Sequence, residues 1–103
     1  MLFRSREYMA RRDAFVEALR KHTGSALTYE VPRGGMALWA GLPGRRGAEE
    51  VIARALARGV VVQSTRGMCF DGRDRPALRL GFAGHAVPLL REAARRLGAA
   101  LRP

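Results

Sequence analysis

At 103 residues the chain makes one domain at most, long enough for a two-layer core and too short for a second independent one. With 48% hydrophobic residues it should fold rather than stay disordered, no apolar run approaches the roughly 20 residues of a membrane span, and Cys69, the single cysteine, excludes an intrachain disulfide and any cysteine-based metal cluster. The formal net charge of +10 invites a nucleic-acid reading, yet all 19 basic residues except Lys21 are arginine, they are spread along the whole chain, and no zinc-finger spacing or recognition-helix signature accompanies them.

Residues 2 to 21 read as a helix, with Tyr8, Phe15 and Leu19 in one stripe and Met9 and Val16 widening it. Arg11, Arg12, Arg20 and Lys21 take the remaining surface, and Gly24 stops the helix. His22 beside that stop suits a dipole-stabilised surface imidazole rather than a catalytic base. The period then changes to two. Leu27, Tyr29 and Val31 alternate with Ala26, Thr28 and Glu30, and after Pro32-Arg33-Gly34-Gly35 a second alternating run extends from Met36 to Leu42. These runs predict a hairpin, with Trp39 among small neighbours on one face of its second strand.

Pro43-Gly44-Arg45-Arg46-Gly47 ends the strand in a turn, and it has neither the glycine spacing nor the lysine of a phosphate-binding P-loop. A helix is expected from about Ala48, with Glu49 and Glu50 in its first turn, Val51, Ile52, Ala55 and Leu56 on its buried side, and Gly59 as its stop. Glu49 and Glu50 make a poor catalytic pair, because adjacent helical residues diverge by about 100°. Val60-Val61-Val62 reads as a short buried strand, and Gln63 to Gly67 leads into Met68-Cys69-Phe70. Cys69 reads as a small buried hydrophobe. Asp71 to Pro76 is a polar turn.

In the strand Ala77 to Ala83, Leu78, Leu80 and Phe82 alternate with Ala77, Arg79, Gly81 and Ala83. Arg79 therefore has small neighbours on its own strand. A permanently charged guanidinium on a rigid strand, with room beside it, suits bidentate capture of a carboxylate or phosphate, whereas a plain surface arginine is the competing reading. Gly84-His85 closes the strand, and His85 could touch a ligand near Arg79, although a capping or solvent-facing role suits it better. The last helix runs from about Ala86 to Leu101, with Pro88 in its first turn and Leu90, Ala93, Ala94, Leu97 and Leu101 as its buried stripe. The order α-β-β-α-β-β-α predicts an α+β two-layer sandwich, in which helices cover one face of a small, mainly antiparallel sheet. The other face carries Trp39 and Arg79, and nothing in the expected elements covers it.

Four motifs in this order resemble a known family. Pro32-Arg33-Gly34-Gly35-Met36-Ala37-Leu38-Trp39, Ala57-Arg58-Gly59-Val60, Phe70, and Leu78-Arg79-Leu80-Gly81-Phe82-Ala83 before an amphipathic helix are similar to the C-terminal small domain of fold-type I pyridoxal-phosphate-dependent aminotransferases. The likeness is strongest to the aminotransferase-like half of MocR-type regulators of the GntR family, where Gly-Gly-(Met or Leu)-x-x-Trp and Arg-Leu-Gly-(Phe or Tyr)-Ala patterns are common. It spans nearly all of the chain.

The resemblance implies that Arg79 binds the α-carboxylate of an amino-acid substrate or effector, and that Gly34, Gly35, Trp39, Ser64 and Thr65 shape the pocket. Ser64-Thr65 stands where the family usually has Pro-Gly. No catalytic residue is implied within the chain. The Schiff-base lysine, the acidic partner of the pyridine nitrogen and the phosphate-binding loop would come from a large domain, so pyridoxal phosphate is expected in a full-length parent and not on this chain alone. Residues 1–103 are accordingly expected to be one small domain of a larger protein, with Leu2 and Phe3 beginning inside an interdomain helix. The parent is then expected to be a MocR/GntR-type transcriptional regulator, with a genuine class I/II aminotransferase as the alternative. Its implied partners are the missing large domain, an amino acid, a second copy in a homodimer, and DNA only through an absent winged-helix domain. With no secretory leader and no membrane span, a cytoplasmic location is expected. Two readings from other classes remain: a stand-alone basic nucleic-acid-binding module, and a packing module without ligand.

Overall fold

Helix α1 (Leu2–Thr23) is continuous for 22 residues, and its last turn carries Arg20 and Lys21, where positive charge meets the negative helix end. The computed structural model describes residues 2–31, 34–42, 47–64, 77–82 and 84–102. Phe15, Val16, Ala18 and Leu19 of α1 are buried and Tyr8 packs against them. Met9 does not join this stripe and is 43% exposed, because it lies one residue, about 100°, away from Tyr8. The Thr23 hydroxyl donates to the Leu19 carbonyl at 2.6 Å, and Gly24, at φ +54°, takes the left-handed conformation that turns the chain out of the helix into a single 3-10 turn over Gly24–Ala26.

Strand β1 (Thr28–Tyr29) pairs antiparallel with β2 (Ala37–Gly41), which completes the expected hairpin. Helix α2 (Ala48–Ala57) follows with Glu49 and Glu50 in its positively polarised first turn, and it ends ahead of Gly59 at φ +80°. Val51 and Ala55 are buried, but Leu56 is 60% exposed. The face carrying positions 51 and 55 points into the core, and the next residue is already rotated out of it.

Val60-Val61-Val62 is not the buried strand expected from its composition. Val60 and Val62 are buried while Val61 is 81% exposed, and the paired strand is β3 (Gln63–Ser64), just beyond. At a sheet edge only alternate residues reach the core, so three consecutive valines cannot all be covered. β4 (Ala77–Gly81) and α3 (Val87–Leu101, with Pro88 in its first turn) complete the order α-β-β-α-β-β-α.

All strand pairs are antiparallel, in the order β1-β2-β4-β3. Leu38, Ala40 and Leu42 join Leu78, Leu80 and Phe82 on the face that meets the helices, where Leu90, Ala94, Leu97 and Leu101 of α3 close the core. Ala93 is only partly buried. The ring of Phe82 lies 5.4 Å from Tyr8 and 6.0 Å from Phe15, centroid to centroid. Each fully covered Leu or Phe contributes about 1.5–3 kcal/mol, which gives this layer its hold on the sheet. The architecture is the α+β two-layer sandwich read from the sequence. The expectations placed on Pro32-Arg33, Pro43 to Arg46, Thr65, Cys69, Phe70, the Asp71 to Pro76 turn and Ala83 lie outside the described residues. Among the described residues no helix is long and apolar enough to cross a membrane.

Candidate functional site: the sheet face opposite the helices

Strand register sets one row of side chains across three strands. Trp39 of β2 is the direct cross-strand partner of Arg79, and Gln63 of β3 is its partner on the other side. Residues opposite one another in an antiparallel pair share a face, with Cβ atoms about 4.5–5.5 Å apart. Leu38 and Ala40 flank Trp39 along its strand and are buried, so alternation sends Trp39 to the opposite side, where it is 51% exposed. The same logic applies to Arg79, half-buried between the buried Leu78 and Leu80. Ala77 and Gly81 share its face along the strand and are too small to crowd the guanidinium themselves.

Among the described residues Arg79 is held at one point. Its Nη1 donates to Oε1 of Gln63 at 2.8 Å. Among the described residues no Asp or Glu bonds to it, unlike Arg12 with Asp13, Arg54 with Glu50, and Arg95 and Arg96 with Glu92. A guanidinium has five donors in a planar fork, so an amide oxygen on one nitrogen leaves most of the fork for a ligand. The arrangement can therefore bind an oxyanion bidentately beside an indole wall.

The other expected site residues are distributed around this row. Gly34 and Gly35 precede β2 at the sheet end where the Phe82 amide donates to the Met36 carbonyl at 3.0 Å, and Gly35 has φ +87°. Ser64 lies in β3 at the register position of Leu78, one step off the Arg79 row. Thr65 lies outside the described residues. His85 does not join Arg79. It is exposed and lines a separate apolar cavity of about 340 Å³ with Phe15, Val60, Leu80, Leu90 and Leu97. Gln63 is the residue that the sequence alone did not single out. Alternation through a strand containing it would have given its face, but not which strand it would pair with.

No set of three His, Cys, Asp or Glu side chains among the described residues could hold a metal ion. A pyridoxal-phosphate site does not fit this chain by itself either. Lys21 is its only lysine and sits exposed at the end of α1, in the helix layer and across the sheet from Arg79. For single-stranded nucleic acid the face is sparsely equipped: Trp39 is the exposed aromatic side chain among the described residues, whereas stacking surfaces use several.

No protein-family model matches the sequence. The chain is 32% identical over 97 residues to a 2-aminoadipate transaminase of Thermus thermophilus, covering 94% of this chain and 24% of that protein. It is 30% identical over 96 residues to aromatic-amino-acid aminotransferase 1 of Thermococcus litoralis, covering 92% of this chain and 23% of the relative. The crystal structure of LysN, the α-aminoadipate aminotransferase of Thermus thermophilus complexed with N-(5'-phosphopyridoxyl)-L-leucine, superposes with a TM-score of 0.86 at 32% identity, over 93% of this chain and 25% of that one. The Pyrococcus horikoshii kynurenine aminotransferase superposes at 0.84 with 26% identity, over 93% of this chain and 24% of that one. The chain thus spans about a quarter of the length of the curated relatives it matches, and its fold is that of a small domain of pyridoxal-phosphate-dependent aminotransferases.

Proposed function

We propose that residues 1–103 form the C-terminal small domain of an aminotransferase-fold protein, and that Arg79 receives the α-carboxylate of its amino-acid substrate or effector. The observation that carries this reading is a guanidinium on the sheet face opposite the helices, beside Trp39, bonded to a neutral amide and to no carboxylate among the described residues. The matching of about a quarter of each relative supports a larger partner domain, which would cover this face. Trp39 would wall the ligand on one side. Gly34 and Gly35 would let the hairpin approach it closely, and Ser64 and Thr65 would help shape the pocket.

Pyridoxal phosphate, when bound, supplies an electron sink at the substrate amino group. Its lysine, ring partner and phosphate loop are assigned to the large domain. The role of the present residues is to orient the amino acid by its carboxylate and to help exclude water as the two domains meet.

The curated relatives favour a catalytic aminotransferase as the parent. A second reading, a MocR-type regulator of the GntR family binding DNA through an upstream winged helix, is supported by Gly34-Gly35-Met36-x-x-Trp39 and Arg79 to Ala83. The test uses the full-length protein loaded with pyridoxal phosphate and titrated with 2-aminoadipate and aromatic amino acids. Arg79→Ala should raise the half-saturating concentration about 100-fold, for the roughly 3 kcal/mol of a charge-assisted bidentate pair. An unchanged value removes Arg79 from the site. Amino transfer to a 2-oxo acid identifies the enzyme, and operator binding that responds to the amino acid without turnover identifies the regulator.

A further inference from the structure

We propose that Gln63 is the positioning residue of the Arg79 anion site: its amide oxygen fixes the guanidinium without adding charge, and so keeps the cation uncompensated for a carboxylate ligand. The inference rests on the reading of Arg79 given above and goes beyond it by assigning a role to a residue outside the family motifs.

Gln63 is opposite Arg79 in the β3–β4 register and accepts from Nη1 at 2.8 Å. The acceptor must be Oε1, because a guanidinium only donates. Bonding at Nη1 leaves the side edge formed by Nε and Nη2, which is one of the two edges that can take a carboxylate bidentately. Arg79 differs in this from Arg12, Arg54, Arg95 and Arg96, each of which meets a carboxylate. A Glu at position 63 would make the same contact and would also neutralise the cation that the ligand needs. An Ala would preserve the charge but let a long, flexible side chain lose its single anchor, and immobilising that side chain would then fall to the ligand.

The test follows Arg79 in the isotopically labelled 103-residue chain, reading its side-chain NMR signals while propionate is added. In the parent sequence the Arg79 Nε–H signal should shift saturably, and its Nη signals should show hindered rotation before any propionate is present. Gln63→Ala should abolish the hindered rotation and weaken propionate binding about threefold, and Gln63→Glu should weaken it at least about tenfold, which corresponds to about 1.4 kcal/mol. Position 63 is exposed in a two-residue edge strand, and an otherwise unchanged amide spectrum confirms that each variant is folded. If Arg79 shows no saturable response in the parent sequence, or the response survives at other groups in Arg79→Ala, the carboxylate-binding reading itself falls. If binding depends on Arg79 but both Gln63 variants bind as tightly as the parent sequence, the positioning role falls alone. Equal binding by Gln63→Glu on its own refutes the requirement for a neutral partner.

Discussion

Gly98 of α3 lies against the backbone of His22 at the end of α1, so closely that a Cβ at position 98 would overlap the His22 carbonyl oxygen and stand 2.9 Å from its carbon. The two helices that share the largest interhelical contact in the fold therefore approach each other across a hydrogen atom. Gly98→Ala has two opposed effects. Alanine favours the helix by about 1 kcal/mol, but the obstacle is backbone at the last turn of a long helix and cannot rotate aside. Net destabilisation of about 1–3 kcal/mol is expected, as for other overpacked sites. Thermal unfolding would show a midpoint lower by several degrees, and an equal or higher midpoint would mean that the helices separate freely at this point.

Glu92 gives the fold an acid-sensitive contact. Hydrogen bonds from Arg95 and then Arg96 lower its pKa from the ordinary 4.5 to about 2. The folded pKa lies below the unfolded one, so the stabilisation is complete above about 4.5 and is lost as pH falls towards about 2. The carboxylate is partly exposed and screened by solvent, so the effect is small and salt-dependent. Unfolding midpoints measured between pH 5 and pH 2.5 should fall less steeply in Glu92→Gln than in the parent chain. Parallel slopes for the two would refute this assignment.

Tyr8 offers a sign test. Its hydroxyl is buried without a hydrogen-bond partner among the described residues, while its ring packs on Phe82 at 5.4 Å. Tyr8→Phe keeps the ring and relieves an unmet donor, so stability should hold or rise by up to about 1 kcal/mol. Tyr8→Ala should cost about 2 kcal/mol, less than a fully buried aromatic because the residue is only partly covered. A loss of stability in Tyr8→Phe would show that the hydroxyl has a partner in solution.

Much of this architecture was legible because the hydrophobic period changes cleanly from helical to alternating and back. Leu78, Leu80 and Phe82 against Arg79 and Gly81 gave the face of β4, and Leu38 and Ala40 gave that of β2. What alternation leaves open is which strand lies beside which. That β4 sits between β2 and β3 is settled by pairing distant in sequence, and this pairing sets Arg79 between Trp39 and Gln63. The valine run misled for a related reason: composition reports that Val60 to Val62 favour extended backbone, but not that the segment runs along an edge with Val61 facing out. Met9 and Leu56 were assigned to apolar faces one residue too wide.

The chain's lone lysine allows the division of labour between domains to be tested chemically. Lys21 is exposed beside Arg20 and His22, in the helix layer, and among the described residues no element would bring a cofactor phosphate or an acidic ring partner to it. An exposed lysine forms a Schiff base with an aldehyde only weakly and reversibly, since nothing holds the carbonyl in place. Incubation of the 103-residue chain with pyridoxal phosphate, followed by borohydride reduction and peptide mapping, should give at most sparse labelling of Lys21 that rises in proportion to reagent. Arg79→Ala should leave that labelling unchanged. Stoichiometric, saturable modification of Lys21 would mean that these residues hold the cofactor themselves, and the assignment of that task to a separate large domain would have to be abandoned.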